Sequence, residues 1–371
     1  MNLHLLGIYG ANGHLSIGNY FEYCVAELPA YLPGWRITSA KPGEKRHDFG
    51  LAGQVGQFES WFENYIDWPL KLRGFQSDIF HIVDQAIAWY RPFLKPGRVV
   101  VTVHDLINVM MMNGHLDLGG ISRLHALKMK LCVQQMQKAD ALLCDSLNTA
   151  ECVRRELNIP SSRVHVVHNI VGPEFRPAAP EERDSIRREL FGEAEFVILH
   201  VGKPSHYKNR TGVMEIFKRI KRVHPGCRLA ITASPLTAEE LAVLADPAVV
   251  KDVSVHRLAK REQVRDLYCA ADLLVFPSLY EGFGWPPLEA MACDCPVVAS
   301  PCGSLREVVG EGGMVINDPH DYDAFADAAD QILTSDALRR ELIAKGRKNT
   351  TRFAKNVVFP QLAEVYRQLV N

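Results

Sequence analysis

Short apolar runs, many of them β-branched, alternate along this chain with longer stretches that are apolar on one face only. In the first half such runs occur at residues 3–9, 79–83, 99–103 and 141–144, and a basic amphipathic stretch at 123–138 precedes the last of them. Strands of a parallel sheet are buried on both faces, and the helices that cover them are amphipathic. The alternation therefore predicts βαβ units, with helices on both faces of a parallel sheet.

The alternation is interrupted once, after Asn169. Residues 171–180 contain three prolines and lead into Glu181 and Glu182, a composition typical of a linker followed by the acidic first turn of a helix. The pattern of strands and helices then begins again. The apolar runs that we expect to form these later strands are residues 196–201, 228–232, 253–255, 273–276 and 296–299.

Two successive alternations predict two Rossmann-like α/β domains. We place the first in residues 1–172 and the second in residues 173–355. Residues 356–371 have apolar positions at helical spacing, and we expect them to form a helix that packs back on the first domain. A length of 371 residues with 47% hydrophobic content is sufficient for two separate cores.

Charge and cysteine content exclude several classes of protein. The chain has 42 Lys and Arg against 43 Asp and Glu, whereas a nucleic-acid binder needs a basic face that neutralises phosphates. Its nine cysteines form no CxxC pair and none lies at zinc-ligand spacing from a His. With neither a signal-peptide pattern nor an apolar run of bilayer length, we expect a cytoplasmic protein with reduced thiols.

The most informative motif is the segment FPSLYEGFGWPPLEAMACDCPVVAS, residues 276–300. It places Glu281 on a glycine-containing loop directly after an expected strand, and Glu289 eight residues later in a helix whose first turn contains two prolines. The backbone amides of Phe283 and Gly284 lie beside this helix N-terminus, where they can donate to an anion or to sugar hydroxyls. The two flanking carboxylates can each accept hydrogen bonds from vicinal diols.

The segment resembles the retaining glycosyltransferases of family 4, which have the GT-B fold of two Rossmann-like domains facing each other across a cleft. Glu281 and Glu289 match the E-x7-E signature of that family. The resemblance implies that Glu281 contacts hydroxyls of the donor sugar and that Glu289 binds the nucleotide ribose. It covers the second domain almost throughout, whereas residues 36–75, on the acceptor side in the family, match nothing specific.

A second element of the motif lies upstream, where Gly202 and Lys203 end an expected strand and Lys208 follows at a helix start. Two ammonium groups on such a loop can neutralise a diphosphate leaving group. The element is similar to the G-[RK]-x4-K element of the family. We therefore assign Gly202, Lys203 and Lys208 to the donor site.

In the first domain, His104 follows a β-branched strand, at the end where ligand-binding residues lie in this architecture. The segment resembles the T-x-HDL segment of the family, in which the His lies beside the reacting sugar, so His104 and Glu281 are the candidate catalytic residues. A core or capping histidine is the alternative. Asp105 could either orient the imidazole or cap the next helix.

The loop expected at residues 10–20 corresponds to the glycine-rich loop that lies next to the donor phosphates in the family. The resemblance assigns donor contacts to Ser16 and Gly18, although Leu15 and Ser16 replace the paired glycines. Gly-x-x-Gly-x-x-Gly at residues 7–13 also resembles the NADP loop of short-chain reductases. We find no Tyr-x-x-x-Lys pair to support a dehydrogenase.

Two further features have simpler explanations than a ligand site. Asp321 and Asp323 form a D-x-D pattern, which binds metal in another glycosyltransferase fold, but here they begin a helix and we expect them to cap it. The basic stretch 123–138 could touch an anionic membrane, although a solvated helix face is the simpler interpretation. We therefore expect neither a required metal nor more than peripheral membrane contact.

Together these motifs predict a retaining, metal-independent glycosyltransferase without a cofactor. It would move a sugar from a UDP- or GDP-sugar to a hydroxyl of a sugar, lipid-linked or small-molecule acceptor, in the synthesis of a glycan, polysaccharide or glycoconjugate. Two alternatives stay open at this point. They are a nucleotide-sugar 2-epimerase of the same architecture and a noncatalytic nucleotide-sugar binder.

Overall fold

In the computed structural model, residues 1–8, 15–43, 61–257 and 260–370 are described. The chain forms two compact units. The first unit consists of Met1–Ile170 together with Lys355–Asn371, and the second unit is Val171–Ala354. The junctions lie within two residues of the boundaries expected from the sequence.

The first unit contains a six-stranded parallel sheet with the strand order β2-β1-β3-β4-β5-β6. Leu3 of β1 pairs with Ile79 of β3, and Ile79 pairs in turn with Arg98 of β4. The strands are β1 Asn2–Leu6, β2 Arg36–Ala40, β3 Ile79–Ile82, β4 Arg98–Val103, β5 Ala141–Cys144 and β6 Val164–Val166. The α-helices are α1 Leu15–Tyr31, α2 Trp68–Leu72, α3 Ile107–Met112, α4 Arg123–Met136 and α5 Leu147–Leu157, with a π-helical segment at Glu63–Asp67 and 3-10 segments at Gln85–Phe93 and Ser161–Arg163.

The C-terminal helix, Lys355–Val370, belongs to the first unit, as the sequence predicts. Its Tyr366 is fully buried, and the Tyr366 hydroxyl lies 2.8 Å from Nδ1 of His81 on β3. His81 Nε2 lies 2.7 Å from the hydroxyl of Thr102 on β4. Burial lowers the pKa of His81 to about 3, so the imidazole is neutral and links the helix to the sheet through hydrogen bonds.

The second unit also contains a six-stranded parallel sheet, with the order β12-β11-β10-β7-β8-β9. Leu274 of β10 pairs with Leu199 of β7 on one side and with Val297 of β11 on the other. The strands are β7 Val197–His200, β8 Arg228–Thr232, β9 Val253–His256, β10 Leu273–Phe276, β11 Val297–Ala299 and β12 Met314–Val315. The helices are α6 Pro180–Phe191, α7 Arg210–Val223, α8 Ala238–Leu244, α9 Pro247–Val250, α10 Arg261–Ala270, α11 Trp285–Ala292, α12 Leu305–Val309, α13 Tyr322–Thr334 and α14 Asp336–Thr350, with helical turns at His206–Lys208, Gly310–Gly312 and Thr351–Phe353.

Both faces of this second sheet are buried. Ile198 and Val275 point to the face that α7 covers with Phe217, whereas Leu274 and Phe276 belong to the cluster on the other face, which includes Tyr268 of α10. Successive residues of a strand alternate between faces, so a continuous apolar run is needed to fill both. The two-layered burial therefore confirms the α/β class predicted from these runs.

The structure contains three strands that the sequence did not predict, namely β2, β6 and β12. β2 has the sequence RITSA, lies at a sheet edge and is mostly exposed or half-buried, so it lacks the apolar run that marks an interior strand. The first helix also differs from the prediction, since α1 begins at Leu15, inside the loop expected at residues 10–20. The expected loop at residues 10–20 is thus wrong from Leu15 onward, and its earlier part, residues 10–14, lies outside the described residues.

The nine cysteines are all in reduced form, and eight of them are buried. Within the described ranges, no helix combines the length and the hydropathy that crossing a bilayer would require.

Candidate functional site

The order of strands in the second unit reverses between β7 and β10, which are neighbours in the sheet but not in the chain. At such a point the loops that leave the two strands diverge to opposite faces, and a crevice opens at their carboxyl ends. The loop after β7 contains Gly202, Lys203 and Lys208, and the loop after β10 contains Glu281. The topology therefore brings both sequence motifs to the place where open α/β sheets bind ligands.

Lys208 and Glu281 form a bidentate ion pair across these two loops. Lys208 Nζ donates to Oε1 of Glu281 at 2.7 Å and to Oε2 at 2.8 Å. Only 14% of the Lys208 side chain and 8% of the Glu281 side chain are exposed to solvent. The ammonium also lies 5.1 Å from the centre of the Phe276 ring. The charged pair is thus largely shielded from solvent, and its electrostatic interactions are stronger there than in water.

Asn209 fixes the position of the Lys208 loop. It adopts the left-handed conformation with φ of 51°, and its side chain accepts a hydrogen bond from Gly212 N as the N-cap of α7. Its Nδ2 donates to the carbonyl oxygens of Pro277, at 3.0 Å, and of Pro319, at 3.2 Å. Asn209 therefore ties the lysine loop to the start of the glutamate loop.

Gly303 and Ser304, in the loop between β11 and α12, support the backbone of Glu281. Ser304 N donates to the Glu281 carbonyl at 3.0 Å, and its hydroxyl donates to the carbonyls of Glu281 and Phe283. Gly303 has a φ of +65°, and a Cβ added there would lie 2.1 Å from the Glu281 carbonyl oxygen. Only glycine permits this close approach of two backbones.

Glu289, on α11, is half-buried and accepts a hydrogen bond from the hydroxyl of Tyr268 at 3.0 Å. Burial raises the pKa of Glu289 to about 7, although the Tyr268 hydrogen bond and the charge of Arg261 oppose this shift. Arg261 itself is paired with Glu174. Near neutral pH, Glu289 can therefore be either a carboxylate that accepts hydrogen bonds or a neutral acid.

The other predicted donor residues of the second unit lie on the same loops. Gly202 N donates to the hydroxyl of Thr232, and Lys203 is exposed on the turn that follows. Phe283 is buried in the core, so only its backbone can serve a ligand. Gly284 has a φ of +102° and is the N-cap of α11, a conformation that favours glycine. The structure thus brings Lys208 and Glu281 into contact and places Gly284 and Glu289 on the helix that the Glu281 loop enters.

His104 lies in the first unit, at the carboxyl end of β4, and is 4% exposed. Its Nε2 donates to the carbonyl oxygen of Val83 at 3.0 Å, and its Nδ1 lies 3.3 Å from Asp145 Oδ2. Burial lowers the pKa of His104, but the hydrogen bond and the charge of Asp145 outweigh it, so the pKa is raised. Both ring nitrogens are therefore engaged within the protein, and the group that orients the imidazole is Asp145.

The sequence predicts that Asp105 either orients the His104 imidazole or caps the next helix, and in the structure it caps the helix. Its Oδ1 accepts a hydrogen bond from Ile107 N at 3.1 Å, where α3 begins. The capping interpretation of Asp321 is confirmed as well, because its Oδ1 accepts from Ala324 N at 3.0 Å at the start of α13. Asp323 pairs instead with Arg219.

Ser16 and Gly18 lie in the first turn of α1 and not in a phosphate loop. Ser16 is exposed, and no atom of the described residues lies within 4 Å of a Cβ added to Gly18. Since the first N–H groups of a helix have no intrahelical partner, this turn retains donors for an anion. The role of Ser16 and Gly18 as donor contacts stays a prediction.

Sequence reasoning missed five residues that shape these sites: Asn209, Gly303, Ser304, Tyr268 and Asp145. The first of them had a signal, because an Asn directly before a helical stretch is a strong N-cap candidate. The others act through contacts between segments that are distant in the chain, which a single sequence does not reveal.

Two family models match this chain. A family model described as glycosyl transferases group 1 matches residues 181–349, and one described as glycosyltransferase family 4 matches residues 54–175. Together they cover most of both units.

A curated relative, D-inositol 3-phosphate glycosyltransferase of Xylanimonas cellulosilytica, is 31% identical over 246 residues, which are 63% of this chain and 58% of that protein. The matched region thus spans little more than half of the relative. Among solved structures, sucrose-phosphate synthase from Thermosynechococcus elongatus matches with a TM-score of 0.74 at 18% identity, covering 100% of this chain and 99% of the other. Anabaena Alr3699/HepE, in complex with UDP-glucose, matches with a TM-score of 0.71 at 16% identity, covering 99% and 100%. At these identities the structural likeness shows the fold.

Proposed function

Because the chain belongs to the group 1 glycosyltransferases and has their GT-B fold, we propose that it transfers a sugar from a nucleotide diphosphate sugar to an acceptor hydroxyl. The anomeric configuration is retained, and no metal ion is required. The observation that carries this proposal is the buried pair of Lys208 and Glu281 at the reversal point of the second sheet.

The pair supplies both kinds of group that the reaction needs. When the bond between the anomeric carbon and the leaving oxygen breaks, its electron pair goes to the diphosphate, and the sugar gains oxocarbenium character. Lys208, Lys203 and the N-terminus of α7 stabilise the charge that grows on the phosphate. The Glu281 carboxylate accepts hydrogen bonds from sugar hydroxyls and orients the ring. The acceptor hydroxyl attacks from the face that the phosphate leaves, and its proton passes to a phosphate oxygen.

Glu289 holds the nucleotide in this proposal. Its carboxylate accepts hydrogen bonds from the two ribose hydroxyls, while Tyr268 fixes its orientation through the hydrogen bond of 3.0 Å. The amides at Phe283 and Gly284 donate to the sugar or to the phosphates at the start of α11.

His104 contributes from the first unit under one condition. A direct contact with the sugar requires Nε2 to exchange the Val83 carbonyl for a sugar hydroxyl, since both ring nitrogens are engaged in the present arrangement. Asp145 raises the pKa of His104 and orients the imidazole in either case. Ser16 and Gly18 add backbone N–H donors from the first turn of α1.

The relatives indicate only the chemical classes of donor and acceptor. A structural neighbour binds UDP-glucose, and a curated relative is named for D-inositol 3-phosphate, so we propose a UDP- or GDP-sugar as donor and a sugar, lipid-linked or small-molecule hydroxyl as acceptor. The product belongs to a glycan, polysaccharide or glycoconjugate.

The test is turnover of the purified protein with a panel of nucleotide sugars and acceptors, with chelator present and the product anomer assigned by NMR. We expect one donor to be consumed with retention, and Glu281→Gln to lose at least about a hundredfold in kcat/KM. Glu311→Gln, at an exposed position of the same unit, is the matched control and keeps full activity. Donor that is epimerised at C2 without transfer, or bound without any turnover, would contradict the proposal.

A further inference from the structure

Helix α4, Arg123–Met136, has apolar residues on two sides. Met129, Cys132 and Met136 are buried against the first unit, whereas Leu124, Leu127 and Leu131 are 79%, 57% and 45% exposed. At 100° per residue the three leucines form a stripe nearly opposite the buried residues. Helices of a soluble domain normally present polar residues on that side, so the stripe needs an explanation.

The charges around this stripe have one sign. Residues 123–138 contain Arg123, Lys128, Lys130 and Lys138 and no Asp or Glu. Helical spacing places Lys128 on one flank of the leucines, Arg123 and Lys130 on the other, and Lys138 in line just beyond the helix end. Leucines bordered by cations characterise a helix that lies in an anionic membrane interface.

Exposed aromatic residues lie beside the helix. The Lys128 ammonium is 5.7 Å from the centre of the Tyr65 ring, and Tyr65 stacks on Trp61 at 5.8 Å. Trp61 is 49% and Tyr65 is 41% exposed. Of the fourteen large hydrophobic side chains exposed among the described residues, eight lie in the segments 61–70 and 124–131. Trp and Tyr favour the level of lipid headgroups, because their rings are apolar and their N–H and O–H groups are polar.

From these observations we propose that the leucine stripe of α4, with its flanking cations and the adjoining Trp61 and Tyr65, is a docking surface for an anionic lipid membrane. The leucines and rings enter the interface, and the four basic side chains pair with lipid phosphates. A second copy of this chain is a poorer occupant, since a face-to-face dimer would bring the same cations together. The proposal does not depend on the sugar transfer proposed above, and membrane binding is measured without donor.

The experiment is flotation of the full-length protein with vesicles of phosphatidylcholine alone or with about 30% phosphatidylglycerol, at low and high salt. We expect binding to the anionic vesicles only, weakened by salt, with a blue shift of tryptophan emission that Trp61→Phe reduces. Two triple variants test the surface, and all six positions are exposed, so the fold is retained. They are Leu124→Ser/Leu127→Ser/Leu131→Ser and Arg123→Gln/Lys130→Gln/Lys138→Gln.

We expect the leucine variant to bind at least about tenfold more weakly. The charge variant should bind on the order of a hundredfold more weakly, since each cation near an anionic surface contributes about fivefold. The matched controls change exposed aliphatic or basic residues elsewhere and keep wild-type binding. They are Val223→Ser/Leu241→Ser/Val357→Ser and Arg222→Gln/Lys251→Gln/Lys348→Gln.

Three results would overturn the proposal. The first is no binding to either vesicle, or equal binding to both. The second is a control variant that loses as much binding as its test variant. The third is a leucine variant that changes only the oligomeric state, measured by light scattering, which would assign the stripe to a contact between copies.

Discussion

Lys208 and Glu281 form a buried ion pair, and their mutual attraction offsets the desolvation penalty of each charge. Both side chains are mostly buried, and Lys208 Nζ is within 2.8 Å of both carboxylate oxygens of Glu281. Removal of one partner leaves a charge that is neither hydrated nor paired. In the proposed function the same two charges engage the diphosphate sugar, so stability and the proposed transfer would depend on one contact.

A double-mutant cycle tests this dependence. Lys208→Met should lower the free energy of unfolding of the second unit by about 3 kcal/mol, because Glu281 then remains as an unpaired buried charge. Adding Glu281→Gln to Lys208→Met should recover most of that loss, since no buried charge is left. Urea denaturation of the three variants measures both effects. Simple addition of the two single losses in the double variant would mean that the pair is not coupled.

Glu289 should make donor binding depend on pH near neutrality. With its pKa raised to about 7, Glu289 is protonated below pH 7 in the free protein and cannot accept from both ribose hydroxyls. The Kd for a nucleotide sugar should therefore rise about tenfold per unit as the pH falls below 7, and level off above it. Calorimetric titration from pH 5.5 to 8.5 or so measures this profile.

Two variants identify the titrating group. Glu289→Gln should bind weakly with little pH dependence, because it has no carboxylate to ionise. Tyr268→Phe removes a hydrogen bond that lowers the pKa of Glu289, so its midpoint should move upward. A wild-type profile that Glu289→Gln leaves unchanged would place the titration on another group.

At the scale of elements, the loop between β11 and α12 packs against the backbone of the Glu281 loop and supports it. Gly303→Ala should destabilise the second unit by more than about 3 kcal/mol and abolish transfer, because its Cβ would lie 2.1 Å from the Glu281 carbonyl oxygen. Gly192→Ala is a matched control, since Gly192 has a φ of +57° and no described residue lies within 4 Å of an added Cβ. It should cost about 1 to 3 kcal/mol for its positive-φ backbone, which has a ψ of −134°, and leave transfer intact. Thermal unfolding and kcat/KM distinguish the two, and equal losses would show that the backbone conformation alone matters.

The elements also show which parts of the fold a sequence can predict. β5, β8 and β10 match their predicted bounds to the residue, because both faces of these strands are buried and require continuous apolar runs. β2 and β12 lie at sheet edges and are short or polar, so this signal is missing. Gly18 and Asn19 resemble turn residues, yet they lie in α1. Lys208, Glu281 and Glu289 are candidates because their motifs resemble those of a known family, whereas the support from Gly303 and Ser304 depends on tertiary contacts.

At the scale of the whole molecule, the first unit is built from both ends of the chain. The C-terminal helix buries Phe359, Leu362 and Tyr366, and Tyr366 bonds to His81 within the core. Tyr366→Phe should destabilise the first unit by about 1 to 3 kcal/mol, because Nδ1 of a neutral, buried His81 loses its partner. Hydrogen exchange of the amides of β3 and β4 measures the stability of the first unit separately from that of the second. Tyr322→Phe, in the second unit, should leave that exchange unchanged.

The central claim is that the second unit binds a nucleotide diphosphate sugar through Lys208, Glu281 and Glu289. Thermal unfolding of the purified protein with UDP-, GDP-, ADP- and TDP-sugars, without metal, tests it most directly. A donor at about a hundred times its Kd should stabilise the protein by about 2.7 kcal/mol, with one base preferred. Glu281→Gln and Lys208→Met should reduce the shift. Stabilisation by NADPH, with no response to any nucleotide sugar, would contradict the claim and favour a dehydrogenase.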